Sequence, residues 1–579
     1  MNRGAPNFFA GLFGVYVYYG ANALGDCDSG EFIALAKHGG VAHPPGYPLL
    51  VLFLRLGHLI WSWMPSFNLI EVLSACSAIV VVAAASLMHR VVLGTYKLPL
   101  SAMVAVLFVF VSAEVFRAAT GIEPFGLNLF LACALIFNLW RFYQDPYRQR
   151  PIIFMGLLFG LAFCTHHSFA MLLPMLVPVF FLTRGGVAPA KKVGLFFAGA
   201  AVGGLPYLYC FFHDPSSPLV WGDWTNIGGA IDHILRREYG TLSLAATADG
   251  AWYNGPLLAA SHFGSNFIWV GSVFVAIGIG KSALEMKDRG FEGAQQKLEL
   301  SILLGAIASG ILFTSLFRLG DDPTAQWIAR RFYALPFVLL TLFLAKGLTE
   351  FERLEYPLLY KRALLVALCM AQVLIQIPDG ERRSEIYTEQ FAKDIYATIG
   401  EEGGLLVTDG DVDFFTAFYG KHVLGLGVNT QIVQAWLFHL PWYQKRLMDT
   451  GVIEQETDSL QELIVSNLRK RPIYLVNPLE RFQVHHPDLQ QYPIGPLIRV
   501  SHRADPIPSP VTLIRESAQL MEGTLNPPSR EQVDGMKTWE KMVLSYYRTN
   551  WESLAKSAKE AGLGPEATFA TEIAKQFKR

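Results

Sequence analysis

Eleven apolar runs separated by polar connections restrict what this chain can fold into. They cover residues 8–24, 70–88, 99–113, 125–140, 152–165, 168–183, 193–212, 265–280, 300–317, 332–346 and 363–377. Each reads as a membrane-crossing helix, because a hydrocarbon core of about 30 Å calls for roughly 20 apolar residues in helical conformation. Of the 579 residues, 52% are hydrophobic and only 16% charged, the balance of a polytopic membrane protein with a soluble part. The net charge of −1 gives no reason to expect a nucleic-acid partner. The first run lacks a strongly basic front and a small-residue cleavage pattern. It is therefore expected to be a retained helix and not a removed leader.

A twelfth run, 49–64, is apolar but carries Arg55 and His58 and ends in Trp61, Trp63 and Pro65. Loop charge decides its treatment. If it lies along the interface, the basic loops fall on one side. These hold Arg3, Arg90 with Lys97, Arg141 with Arg148 and Arg150, Arg184 with Lys191 and Lys192, Lys281 to Lys297, and Lys346 to Arg362. If it spanned, every later loop would change sides and the bias would reverse. The run is therefore expected to be a juxtamembrane helix with its tryptophans at headgroup level. The N-terminus is then cytoplasmic and the tail extracytoplasmic, in a bacterial inner membrane.

This topology gathers the chemically rich loops on the outer face. They are 25–69, 113–128, the Thr165-His166-His167-Ser168 turn, 213–264 and 318–331, and the tail begins on the same face. One shared outward cavity is expected. The first loop is the densest, with Asp26, Asp28 and Glu31 followed by His43-Pro-Pro-Gly-Tyr-Pro. Carboxylates where a chain has just left a membrane are costly unless paired or wetted, so they read as functional. The proline-rich run cannot be helix interior and reads as a shaped turn. Asp28 and Glu31 share a face if the segment is helical. Asp28 or Ser29 is equally readable as a helix cap.

Glu123 and Asn128 flank the start of an apolar run, where a carboxylate also suits the helix dipole. Adjacent histidines point in different directions, so His166 and His167 make poor joint metal ligands. Arg330 and Arg331, and Arg236 and Arg237, lie on the face where arginine is disfavoured. They read either as snorkelling side chains or as bidentate ligands for a phosphate. Asp409-Gly-Asp411-Val-Asp413 has the alternation of a calcium loop, but Phe414 and Gly420 stand where that loop needs glycine and glutamate. A turn after a strand is expected. No metal site is predicted; a divalent metal stays open without support.

After residue 377 the charges return. Residues 404–408 and 472–476 read as buried strands, and 429–447 and 452–469 read as helices. This gives a membrane domain over 1–377, a soluble extracytoplasmic α/β domain over 378–515 and a helical segment over 516–579. Two or three helices are expected in that segment, which must pack on the α/β part. The six cysteines include none beyond Cys369, so the tail has no internal disulfide.

Asp28-Ser-Gly-Glu31-Phe followed by His43-Pro-Pro-Gly-Tyr-Pro resembles the first-loop signature of a bacterial and eukaryotic membrane-protein family long listed as a domain of unknown function. Its animal member is a protein O-mannosyltransferase. Glu123-Pro-Phe-Gly-Leu-Asn128, the histidine pair, Trp221-Gly-Asp223, Arg237-Glu-Tyr239-Gly and the Asp409 run fit the same family. The resemblance covers most of 8–480 and departs after Glu123, where Pro124-Phe125 replaces valine-tyrosine. More distantly, an acidic pair followed by His-Pro-Pro is similar to the dolichyl-phosphate-mannose protein O-mannosyltransferases of the GT-C superfamily.

The resemblance implies a GT-C-like polytopic α-helical fold of about 11 spans with a re-entrant or juxtamembrane first outer loop. It implies an inverting transfer of mannose or another hexose from a polyprenyl-phosphate lipid to a hydroxyl of a protein or glycan acceptor. Asp28, Glu31 and Asp26 would be catalytic. His43, Tyr47, Glu123, Asn128, His166, His167, Trp221, Asp223, Arg237, Tyr239, Arg330 and Arg331 would bind substrate. The lipid-linked sugar is the only cofactor-like molecule implied. A transporter or lipid flippase is the rival reading, but such proteins show internal repeats and midplane charges. A non-catalytic scaffold is the third.

Overall fold

The computed structural model describes residues 5–25, 28–183, 187–214, 216–241, 250–457, 459–523, 528, 533 and 536–577. The chain forms two compact units. One comprises Met1–Asn22, Gly40–Ser217 and Trp224–Arg383; the other comprises Ala23–Gly39, Pro218–Asp223 and Ser384–Arg579.

The first unit is helical. Proline opens the helices Pro48–Ser62, Pro99–Phe110, Pro124–Gln144, Arg150–Phe163 and Pro189–Gly203 in their first turns. There its missing N–H costs nothing and its fixed φ suits the helix. Asn68 caps the helix Leu69–Tyr96 by accepting from the Ile70 amide. All eleven expected runs contain helix, but the count of eleven spans is not reached by length. Among the described residues, six helices are long and apolar enough to cross a membrane, or eight if each of two bent pairs is one span. Ala5–Tyr19, Arg150–Phe163 and the run 167–182 are shorter. Run 167–182 is 3-10 and then π helix, with Pro174 and Pro178 each removing a backbone donor. Pro48–Ser62 has 15 residues, about 22 Å at 1.5 Å per residue, and is also below spanning length.

The bent pairs matter most for chemistry. Pro99–Phe110 turns by 69° into Ala113–Thr120. Breaking a helix strands backbone groups, and in lipid these need protein partners. Gln376 Oε1 accepts from the Ala113 amide and Asn266 Oδ1 from the Glu114 amide. Gln372 Nε2 donates to the Phe108 and Asn266 carbonyls. The break is thus held open by three side chains, and it delivers Glu114 and Arg117 on a short rigid helix. Elsewhere Arg150–Phe163 and Pro189–Gly203 meet through glycines at a four-residue spacing. A Cβ on Gly156 would come within 1.9 Å of the Phe196 carbonyl oxygen, the close approach that small residues permit in membranes. Lys346 Nζ lies 2.9 Å from both Glu299 oxygens and 2.9 Å from Glu285, and Tyr96 donates to Glu299. These groups are a buried, mutually hydrogen-bonded charge set.

The second unit holds a five-stranded mixed sheet. Its strands are β1 (Gly404–Thr408), β2 (Thr430–Gln434), β3 (Ile473–Leu475), β4 (Leu489–Ile494) and β5 (Leu497–His502). The order is β2-β1-β3-β5-β4. β1 pairs in parallel with β2 and β3, and β5 runs antiparallel to β3 and β4. Segment 429–447, expected to be helical, instead gives β2, a 3-10 turn and the helix Pro441–Asp449. Thr430, Val433 and Gln434 are buried, so pairing with β1 decides the conformation. In segment 452–469 the helix is confined to Leu460–Asn467. The helix Thr538–Glu560, which precedes the last helix Gly564–Gln576, packs on the sheet: Asn550 Nδ2 donates to the Gly495 and Leu497 carbonyls. Tyr547 donates to Asp394 at 2.5 Å.

Candidate functional site

In the first unit, residues from widely separated connections converge. The turn at residues 43–47 presents His43 and Tyr47, whose hydroxyl lies 3.2 Å from His43 Nε2. The Gly46 amide donates to the His43 carbonyl at 2.8 Å and closes the turn. Tyr47 adopts a positive φ of 46°, which a bulky residue enters only when its surroundings impose it. The Tyr47 ring lies 5.9 Å from that of His166, which in turn lies 5.3 Å from Phe125 and 5.4 Å from Phe332. His166 Nδ1 accepts from the Ser168 amide, so the neutral ring carries its proton on Nε2. Burial, then the charges of His167, Arg236, Arg331 and His43, push its pKa well down. His166 is therefore a neutral donor.

His167 stacks on Phe163 with centroids 4.0 Å apart and faces the Tyr207 hydroxyl at 3.4 Å. Asn128 is buried and reaches Ser168 Oγ at 3.4 Å. Arg237 is exposed and paired with Asp232. Arg236, also at positive φ, lies over the Tyr239 ring and is the member of the pair that the two histidines sense. His233 donates to the Ala42 carbonyl at 3.1 Å, and burial pushes its pKa down to about 3.

A small charged cleft adjoins this set. Its walls carry Arg117, Arg330, Arg331 and Arg382 against Glu114 and Glu123, with Trp327 and Phe125. Four guanidinium groups meet three carboxylates, Glu114, Glu123 and, through Arg330, Asp379, so the cleft keeps a net positive charge. Arg330 donates to Glu114 and to Asp379, both at 2.8 Å. Burial opposes its charge, but the two carboxylates outweigh burial and raise its pKa. Glu123 stands at the N-cap of Pro124–Gln144 without capping it, and its carboxylate lies 3.5 Å from Arg331. Arg331 also sits over Phe125, and Arg117 over Trp327, both at 5.6 Å. Glu114, Arg117, Trp327, Asp379 and Arg382 were not singled out from the sequence. The signal within reach was Glu114 and Arg117 at i, i+3 on one helix face.

The remaining candidates belong to the second unit. Asp28 is the N-cap of Ser29–His38, but its side chain makes no capping hydrogen bond. It is partly exposed, whereas Glu31 is fully enclosed. Asp26 lies outside the described residues. The helix seats against Asp411–His422 so closely that a Cβ on Gly30 would fall 2.5 Å from the Phe415 carbonyl oxygen. Lys37 donates to the His422 and Val423 carbonyls at the C-terminus of that helix, a favourable place for a cation. Asp413 turns back to accept from the Asp409 and Gly410 amides. Asp409 accepts from Asn477 and Arg481. The Asp409 run is thus a strand-to-helix turn, and no group of three metal-ligating side chains occurs among the described residues. Trp221 is buried among Phe414, Phe415, Trp436 and Trp442, and Asp223 is partly buried.

Residues 28–187 match the model of a protein family described as the protein O-mannosyl-transferase TMEM260 N-terminal domain. The mouse (Mus musculus) protein O-mannosyl-transferase TMEM260 is 28% identical over 264 residues, 44% of this chain and 37% of the mouse protein. The Dictyostelium discoideum protein O-mannosyl-transferase tmem260 is 24% identical over 359 residues, 55% of this chain and 41% of that protein. The chain thus spans about two fifths of the length of these curated relatives.

Among solved structures, ArnT from Cupriavidus metallidurans in the apo state superposes with a TM-score of 0.51 at 11% identity, covering 85% of this chain and 97% of ArnT. The same enzyme bound to undecaprenyl phosphate gives 0.50 at 13% identity, covering 88% and 100%. The Archaeoglobus fulgidus oligosaccharyltransferase, in complex with zinc and sulfate, gives 0.50 at 12% identity, covering 99% and 86%. The resemblance drawn from the first loop holds, and the chain shares the fold of ArnT and the archaeal oligosaccharyltransferase.

Proposed function

We propose that this chain is an inverting membrane glycosyltransferase that moves a hexose, in first place mannose, from a polyprenyl-phosphate lipid to a serine or threonine hydroxyl on the extracytoplasmic side. The observation that carries this reading is the electropositive cleft of four arginines and two glutamates. It is assembled at helix ends and lies beside a neutral histidine donor. Arginines in that number suit a phosphate leaving group, which needs its developing charge stabilised as it departs. The first-loop match to a mannosyltransferase family and the GT-C fold support the same class. The undecaprenyl phosphate in the ArnT complex supports the lipid donor.

In the proposed reaction the acceptor oxygen attacks the anomeric carbon as the bond from that carbon to the phosphate oxygen breaks. The hydroxyl proton passes to Asp28, polyprenyl phosphate departs, and the anomeric configuration inverts. Glu31 is the partner of Asp28 and Asp26 its substitute. Arg331 and Arg330 bind the phosphate, and Glu123 and Glu114 hold those arginines in place. His43, Tyr47 and His166 position the donor. Asp28→Asn keeps the size of the side chain and removes its charge. In an assay of transfer from a polyprenyl-phosphate mannose, it lowers turnover by about 10²–10⁴-fold and leaves donor binding intact. Arg331→Gln weakens donor binding itself. Wild-type turnover in Asp28→Asn moves the base to Asp26 or Glu31. Wild-type turnover in Asp28→Asn, Asp26→Asn and Glu31→Gln alike defeats the transferase reading.

A further inference from the structure

The second unit contains a cavity to which the reaction proposed above assigns no step. It has a volume of about 440 Å³, within the usual range for small-ligand sites. Its walls come from the 218–221 segment, the end of helix Asp411–His422, β2 and helix Pro441–Asp449. Trp221, only 1% exposed, forms an aromatic wall with Trp442, the ring centroids being 6.0 Å apart. Two cations, Lys421 and Arg446, and two amides, Asn429 and Gln431, share the lining. No aspartate or glutamate is among the described lining residues, and the carboxylate that acts on Arg446 is Asp449, outside the lining.

We propose that this cavity binds a carbohydrate residue carrying a negative charge, such as a uronate or a sugar phosphate. Flat indole faces offer an apolar surface to the C–H face of a pyranose. Asn429 and Gln431 each donate one N–H to a backbone carbonyl, of Glu401 and Gly451, which leaves their amide oxygens and second N–H groups for hydroxyls. Lys421 and Arg446 meet the anion, and burial lowers the pKa of both, a cost that a bound anion relieves. Lys421 already donates to the Thr430 carbonyl, which leaves two of its three N–H groups. His422, held neutral by burial and by Lys421, His38, Lys37 and Arg446, adds a polar group without adding charge.

An acidic peptide adding a strand to the sheet is the less favoured occupant, although β2 is an edge strand. Side chains occupy its main-chain groups: Lys421 holds the Thr430 carbonyl, and the Tyr443 hydroxyl accepts from the Gln434 amide.

The test is binding to the purified full chain in detergent, by calorimetry. The probes are methyl glucuronoside, glucose 6-phosphate, methyl glucoside, inorganic phosphate and tetraglutamate. The two anionic sugars are expected to bind at least about ten-fold more tightly than methyl glucoside or phosphate. Trp442→Ala weakens both anionic sugars by about ten-fold or more, and Trp442→Phe restores part of the loss. Arg446→Gln weakens the anionic sugars by the same factor and leaves methyl glucoside within about two-fold. Arg331→Gln, which weakens phosphate binding in the first unit's cleft, is expected to keep the affinity for both anionic sugars within about two-fold, so the outcome here is independent of the transferase reading. Phosphate binding as tightly as the sugars, tetraglutamate binding in their place, or wild-type affinity in Trp442→Ala overturns the proposal.

Discussion

Asp394 offers a direct measure of what burial does to the second unit. It is 1% exposed on the helix Tyr387–Ile399, and burial pushes its pKa up to about 7. The Tyr547 and Gln390 hydrogen bonds, at 2.5 Å and 2.7 Å, work against that shift without cancelling it. In the unfolded chain the carboxyl ionises near the ordinary value, about 4. The folded state therefore holds the extra proton between pH of about 4 and about 7. Stability falls as pH rises through that window, by about 1.4 kcal/mol per unit, and levels off above it. The whole effect is on the order of 4 kcal/mol.

Asp394→Asn removes the titration, keeps an acceptor for Gln390 Nε2 and turns an N–H toward the Tyr547 hydroxyl, which can accept it. The variant is expected to match the wild type near pH 4.5 and to exceed it by up to about 4 kcal/mol at pH 8. Hydrogen exchange of the 387–399 and 538–560 segments, corrected for intrinsic rates at each pH, reads this local stability. A wild-type slope that survives in Asp394→Asn would refute the reasoning.

Lys346→Met leaves Glu299 buried without its cation and costs about 3–5 kcal/mol; Lys346→Met combined with Glu299→Gln recovers most of that, as read by thermal unfolding in detergent. Equal losses in the single and double variants would show that the pair is not coupled. Gly30→Ala forces a methyl group to 2.5 Å from the Phe415 carbonyl oxygen, so it separates the Ser29–His38 helix from Asp411–His422. It costs about 1–3 kcal/mol, seen as faster exchange in both helices; unchanged exchange would contradict the packing. A cysteine at exposed Glu401 is labelled by a membrane-impermeant thiol reagent in intact spheroplasts, because the loop-charge bias places the tail outside. Labelling only after lysis would reverse the orientation.

The sequence by itself determined the class of fold, because solvent and local geometry act on short stretches. Apolar runs become helices wherever water is absent, and proline marks where several of them start. The His43-Pro-Pro-Gly-Tyr turn was legible for the same reason. So was the Asp409 run as a turn after a strand, since Asp413 reaches back only three and four residues.

What tertiary structure decided lies beyond any local window. The break after Phe110 depends on Asn266, Gln372 and Gln376, more than a hundred residues away. Without them residues 99–120 read as one apolar run with a polar end. Thr430-Gln-Ile-Val-Gln is a strand because β1 lies beside it; with only Ile432 and Val433 apolar, its own pattern does not separate strand from helix. Among the described residues, fewer helices than runs reach spanning length, because hydropathy reports composition whereas Pro174, Pro178 and the bends set helix length. The charged cleft joins Glu114 to Arg330 across 216 positions and Arg330 to Asp379 across 49. Such pairings follow from how helices pack, and no spacing rule along the chain encodes them.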